Sequence, residues 1–154
     1  MITYCKGDAT RPVDDEGIIV HVCNNAGGWG AGFVLAVSRR WPEPERKYRA
    51  WAKSGYEEGS GKFELGQVQL VSVGPKLWVA NMVAQDGFGE DGRIPLRYDA
   101  LKKCLDIVDA LGGGTKLSVH MPRIGCGLAG GTWAEVGPIV EKSIASVNVY
   151  VYDL

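Results

Sequence analysis

The 154-residue chain has only two histidines and four cysteines, Cys5, Cys23, Cys104 and Cys126. No two cysteines form a CxxC pair and no His/Cys group has paired ligand spacing, which excludes a structural zinc site. No apolar run approaches the roughly 18 residues of a membrane span. The opening MITYCKGDAT has neither a basic nor an apolar leader segment, so no signal peptide is expected. A reduced, cytoplasmic protein is the expectation. Excess charge of one sign is also missing: 17 Lys and Arg face 18 Asp and Glu, for a net charge of −1. That excludes a general electrostatic grip on unmodified duplex nucleic acid or an anionic membrane. An anionic ligand must be held by local geometry.

What the chain has is glycine, 22 residues of it, set between short apolar runs. Residues 2–5, 17–23, 67–73, 77–83, 117–121 and 147–152 read as strands, and the run at 17–23 is apolar enough to be buried on both faces. Helical spacing follows at 33–41, ended by Pro42, and at 43–53, where Tyr48 and Trp51 supply apolar surface. Residues 55–62 read as a loop. Pro95 suits the first turn of a helix striped by Leu101, Leu105, Val108 and Leu111, which Gly112-Gly113-Gly114 stops. Thr132 and Glu135 have capping-box spacing for a last helix. Pro138 requires that helix either to kink or to start later. Alternating strands and helices give an α/β fold in three α/β/α layers, with a mixed, largely parallel central sheet and a single domain over 1–154.

Two glycine-rich stretches each follow a strand and precede a helix: NNAGGWGAG at 24–32 and RIGCGLAGG at 123–131. Backbone N–H groups in such loops, backed by a helix N-terminus, cradle anions without a lysine. Neither loop matches GxxxxGK[ST] or GxGxxG, which excludes the Walker and dinucleotide fingerprints. Either one alone also reads as a tight strand-to-helix turn.

The order of motifs resembles the macro domain family over nearly the whole chain. GIIVHVCNNAGGWGAG (17–32) is similar to the family's strand and first phosphate loop, and MPRIGCGLAGG (121–131) to its second. GDAT (7–10) resembles the segment that receives adenine. The closing VYDL is similar to the ending of the branch with terminal ADP-ribose glycohydrolases and ADP-ribose-1″-phosphate phosphatases. The resemblance implies a domain that binds ADP-ribose and needs no cofactor. Its expected partners are ADP-ribose, ADP-ribosylated protein and ADP-ribosylated DNA, and it is expected to be a monomer.

By the same resemblance Asp8 accepts from the adenine amino group with the Ala9 N–H beside it, and Asn24 bonds the distal ribose. Gly28, Trp29, Gly30 and Gly32 line the diphosphate and distal ribose. Gly125, Cys126, Gly127 and Leu128 wrap the other side, Gln85 reaches the scissile end and Tyr152 borders adenine. Plain structural readings stand beside these: a turn aspartate at 8, a helix-start cap at 24, a core Trp29 and an ordinary strand aromatic at 152. The catalytic lysine and aspartate of the glycohydrolase branch have no counterpart, since Val83-Ala84-Gln85 and Ala129 occupy those regions. The catalytic candidates are then Asn24, His21 and Asp86. His21 also reads as a core histidine and Asp86 as a solvated loop residue. Cys126, with no adjacent histidine, reads as a small loop residue and not as a nucleophile. The activity implied is hydrolysis of mono-ADP-ribose from carboxylate-linked protein or from a nucleobase. A non-catalytic reader and an ADP-ribose-1″-phosphate phosphatase are the alternatives.

Overall fold

Side chains alternate along the strand at 17–24 between two apolar layers, and that division organises the domain. In the computed structural model, which describes residues 2–89 and 92–154, Ile18 and Val20 join one core while Ile19 and Cys23 join another. The chain runs β1 (Ile2–Lys6), a 3-10 turn (Val13–Asp15), β2 (Gly17–Asn24), α1 (Phe33–Arg40) and α2 (Glu43–Ser54). It continues with β3 (Tyr56–Glu57), β4 (Gly61–Lys62), β5 (Val68–Gly74) and β6 (Leu77–Gln85). The last elements are α3 (Tyr98–Thr115), β7 (Val119–Met121), α4 (Trp133–Ser143) and β8 (Val149–Asp153). The main sheet has the order β1-β8-β7-β2-β6-β5, and β3 and β4 form a separate antiparallel hairpin.

Helices α3 and α4 cover one face with Leu101, Leu105, Val108, Val136 and Val140. Helices α1 and α2 cover the other with Val34, Val37 and Tyr48. The family's three-layer arrangement is present. Strands β1, β8, β7, β2 and β6 are mutually parallel and only β5 runs antiparallel. Their carboxyl ends, at Lys6, Asn24, Gln85, Met121 and Asp153, therefore share one edge, where ligands gather in open α/β sheets.

Several local expectations need correction. The triple glycine does not stop α3, which continues to Thr115 and is closed by Lys116 in the left-handed region. Those glycines serve close approach instead: a Cβ at Gly112 would meet Val147 at 3.1 Å, and one at Gly113 would meet Ser146 at 3.2 Å. Asp109 completes that junction by accepting from the N–H groups of Ala145 and Ser146. Helix α3 begins at Tyr98 and not at Pro95, because Leu96 is drawn into an extended bridge with Gln85. Helix α4 starts at Trp133 with Pro138 inside it, so the later start is not taken. The Thr132 side chain caps no backbone N–H, so the capping box does not form. The 55–62 stretch carries the small hairpin, anchored where Trp51 Nε1 donates to the Gly61 carbonyl at 2.8 Å.

Candidate functional site

The loop after β2 is shaped by Asn24. Its Oδ1 accepts from the N–H groups of Ala26 at 2.9 Å and Gly28 at 3.0 Å, while its Nδ2 donates to the Gly28 carbonyl at 2.9 Å. From beneath, the fully buried Tyr48 of α2 donates its hydroxyl toward both the Asn24 carbonyl and Oδ1, at 2.5 and 3.0 Å. Asn24 is thus a brace for the loop and not a cap on α1, whose N-cap is Gly32. Gly32 sits at φ 84°, ψ −148°, a region essentially closed to residues with a Cβ.

The loop after β7 owes part of its glycine content to packing. A Cβ at Gly125 would lie 2.8 Å from Leu96, and one at Gly131 only 2.5 Å from it. Leu96 is buried under this loop and its N–H donates to the Ala129 carbonyl at 3.1 Å. Gly127 meets nothing within 4 Å, as does Gly30 across the cleft, which leaves both backbones open to a ligand. Leu128 spans the gap, its Cδ1 lying 3.6 Å from where a Gly32 side chain would begin.

Between the loops lies a cleft in two lobes of about 270 and 200 Å³. Val22, Ala31, Val34, Gln85 and Leu128 border both lobes. Cys23, Asn24, Gly28, Trp29, Gly30 and Phe88 complete the first. Gly32, Arg123, Gly125 and Gly127 help to complete the second. Some loop amides are spent internally, those of Ala26 and Gly28 on Asn24 and those of Gly130 and Gly131 on Gly127 and Gly125. Among the described residues, the N–H groups of Gly30, Ala31, Gly32 and Phe33, and of Gly127 and Leu128, find no acceptor. Unpaired main-chain donors from two facing loops, at the start of α1, define an anion-accepting cleft.

The remaining predicted residues are distributed as follows. Gln85 lies between the lobes, at a bulge where β6 carries one residue more than β2. Trp29 borders the cleft but is mostly core, with its Nε1 donating to Ser38 Oγ at 2.8 Å. Asp8 and Ala9 follow β1 on the same sheet edge but border neither lobe. Asp8 Oδ1 accepts from the Thr10 N–H at 2.8 Å and its hydroxyl at 2.7 Å, and no contact within the described chain uses Oδ2. Burial works to raise the Asp8 pKa, but these bonds and the charges of Arg11 and Arg40 outweigh it and hold the carboxyl below its ordinary value. Cys126 borders neither lobe; its thiol turns to the Ile124 carbonyl, and burial raises its pKa. Tyr152 borders a different cavity of about 270 Å³, shared with Tyr150 and His120, and its hydroxyl lies 2.7 Å from His120 Nδ1.

Of the two titratable catalytic candidates, His21 borders the second lobe and Asp86 borders neither, and both are held by neighbouring side chains. His21 is 2% exposed, and its Nε2 lies 2.6 Å from Asn81 Oδ1. Asn81 spends its amide protons on Gln69 and the Pro44 carbonyl, so its Oδ1 accepts and His21 Nε2 carries the proton. Burial lowers the His21 pKa to about 4, leaving a neutral ring packed edge-on against Trp29. Asp86 borders neither lobe; it accepts from Asn25 Nδ2 at 3.0 Å and pairs with Arg97 at 3.6 Å. Asn25 Oδ1 in turn accepts from the Gly87 N–H at 2.9 Å, tying the first loop to residues 85–87.

Sequence reasoning missed Tyr48 and Phe88. Tyr48 read as apolar helix surface, and nothing at its position announces a partner 24 residues away. Phe88 is 60% exposed over the first loop, where a Cβ on Gly28 would meet its ring at 2.7 Å. Among the described residues no group of His, Cys, Asp and Glu has the arrangement of a metal site, and no helix is long and apolar enough to cross a membrane.

These features define an α/β/α domain with a main-chain-lined anion cleft, and comparison with known proteins assigns its family. A macrodomain protein structure from Streptomyces coelicolor is 47% identical, covering 100% of this chain and 99% of that one, with a TM-score of 0.84. The chain belongs to the macrodomain family. The ADP-ribose 1″-phosphate phosphatase of Meyerozyma guilliermondii is 27% identical over 173 residues, 97% of this chain and 98% of that protein. The chromodomain-helicase-DNA-binding protein 1-like of Danio rerio is 31% identical over 160 residues, 97% of this chain. The chain spans only 15% of that protein's length. No family model matches the chain.

Proposed function

We propose that this macrodomain binds ADP-ribose along the two-lobed cleft and hydrolyses the bond at its C1″, releasing mono-ADP-ribose from a carboxylate or a nucleobase. The observation that supports this reading is the set of unpaired amides on the two facing loops, suited to a diphosphate in a chain of net charge −1. Asp8 Oδ2, on the same sheet edge, suits the adenine amino group.

Among the described residues no carboxylate borders either lobe, and the one imidazole that does, His21 on the second lobe, is buried, neutral and held by Asn81, so the chemistry rests chiefly on position and electrostatics. Water oriented by Gln85 and the loop backbone attacks C1″. The bond to the leaving group breaks with its electron pair, and the water proton passes to the ligand's own phosphate or to solvent. A carboxylate is the easiest group to expel without a protein acid.

A second reading is an ADP-ribose-1″-phosphate phosphatase, supported by the full-length likeness to the Meyerozyma guilliermondii enzyme of that name. Incubation with an ADP-ribosyl ester peptide, an ADP-ribosylated oligonucleotide and ADP-ribose 1″-phosphate separates the possibilities. Free ADP-ribose from either of the first two supports hydrolysis at C1″, and inorganic phosphate from the third with nothing released from the first two supports the phosphatase. Binding by calorimetry without any product leaves a reader.

A further inference from the structure

Gln85 closes β6 at the boundary of the two lobes, and hydrogen bonding fixes which way its side chain is turned. One end of its amide lies 3.0 Å from the Gly87 carbonyl. A carbonyl oxygen accepts and never donates, so the end facing it is Nε2. Among the described residues Oε1 has no donor. The acceptor end of the amide is therefore the one left for the cleft.

The residue that holds this arrangement is Asn25, which borders neither lobe. Its backbone N–H donates to the Gln85 carbonyl at 2.9 Å. Its Nδ2 donates to Asp86 Oδ1 at 3.0 Å, and its Oδ1 accepts from the Gly87 N–H at 2.9 Å. One residue thus grips three in a row, including the glycine that braces Gln85. The segment is also held from its far side. The Asp86 N–H donates to the Pro95 carbonyl at 2.8 Å, and Asp86 Oδ2 pairs with Arg97 at 3.6 Å. Both polar ends of the Asn25 side chain are spent inside the protein, so its influence on the cleft passes through Gln85.

We propose that Asn25 is a positioning residue for hydrolysis, clamping residues 85–87 so that Gln85 Oε1 accepts a hydrogen bond from the attacking water. This rests on the hydrolase reading above. The water oxygen forms its bond to C1″ as the bond to the leaving group breaks with its electron pair. The amide takes no proton, which passes to the ligand's phosphate or to solvent. An aimed water lowers the barrier of the chemical step and leaves ground-state binding almost unchanged.

A double-mutant cycle on the whole chain tests this, with whichever of the ADP-ribosyl ester peptide and the ADP-ribosylated oligonucleotide wild type turns over. Gln85→Ala and Asn25→Asp are each expected to lower kcat about tenfold, with KM and the calorimetric affinity for free ADP-ribose within about twofold of wild type. In Asn25→Asp a carboxylate replaces the Nδ2 donor and faces Asp86. The N25D/D86N protein puts a donor back on the other side of that bond and is expected to recover most of kcat. The N25D/Q85A protein is expected to be no slower than Gln85→Ala alone, because the two residues act as a unit. Losses that add, or a polarity swap without recovery, overturn the positioning role. A loss confined to KM and ADP-ribose affinity also overturns it and makes Oε1 a contact to a ligand hydroxyl. Nitrogen–proton NMR reads the brace without substrate: the Gln85 side-chain amide signals should shift in Asn25→Asp and return in N25D/D86N. Signals that do not move overturn the brace itself. If wild type releases ADP-ribose from neither substrate, the hydrolase reading falls and this inference with it.

Discussion

The Tyr48 hydroxyl reaches 24 residues back along the chain to Asn24, touching its carbonyl at 2.5 Å and its Oδ1 at 3.0 Å. Burial raises the phenol's pKa, so it stays a donor at every physiological pH. One buried hydroxyl on α2 therefore holds the residue that shapes the first loop. Tyr48→Phe keeps the ring and removes the donor. Stability should fall by about 1–2 kcal/mol, read from urea unfolding. Affinity for ADP-ribose, read by calorimetry, should fall several-fold. Unchanged affinity alongside lowered stability would reduce Tyr48 to a packing role.

Gly32→Ala tests the backbone conformation at the start of α1. At φ 84°, ψ −148° a Cβ is strained wherever it points, by about 1–3 kcal/mol. The loop relaxes by moving its amides, so ADP-ribose binding should drop at least tenfold. Gly30→Ala, where a Cβ meets nothing, should fold as wild type. A Gly32→Ala protein that binds normally would show that these amides do not carry the affinity.

For Asp8 a pair of variants separates turn from ligand contact. Asp8→Asn keeps an oxygen for Thr10 but removes the charged acceptor left for adenine. Affinity should fall roughly 10- to 150-fold, with little change in melting temperature. A fall in melting temperature with no loss of affinity would assign Asp8 to the turn alone.

Acid should destabilise the protein through His21. Its folded pKa of about 4 lies below the ordinary value of 6.5, so the unfolded chain binds the extra proton first. The full contribution is present above about pH 6.5 and is lost as pH falls toward 4, by about 3 kcal/mol. His21→Asn should make the dependence of unfolding free energy on pH about half as steep over that window, since burial also lowers the His120 pKa to about 4. An equally steep profile in the variant would exclude His21 as its source.

How far the sequence led can be followed residue by residue. The strands were legible because β2 and β6 are apolar on both faces, and the two loops because glycine clusters sit between strand and helix. Where glycine acts at a distance, reading failed. Gly112 and Gly113 leave room for residues 146 and 147, and Gly125 and Gly131 make room for Leu96. None of those partners is a chain neighbour. His21 and Asp86 were candidates because their type suits catalysis, but Asn81, Asn25 and Arg97, all distant in sequence, occupy them. Side-chain chemistry is local and can be read; which groups are already taken is a property of the folded chain.

A site assembled from peptide amides has an unusual genetic profile. Alanine scanning, the usual way to find a binding surface, leaves an amide in place at every position it visits and would pass over Gly30 and Gly127 with little to report. Proline is the one genetically encoded residue that deletes the N–H itself. A scan of these loops by proline, or by ester-for-amide replacement during chemical synthesis, would trace a contact map that ordinary mutagenesis leaves blank.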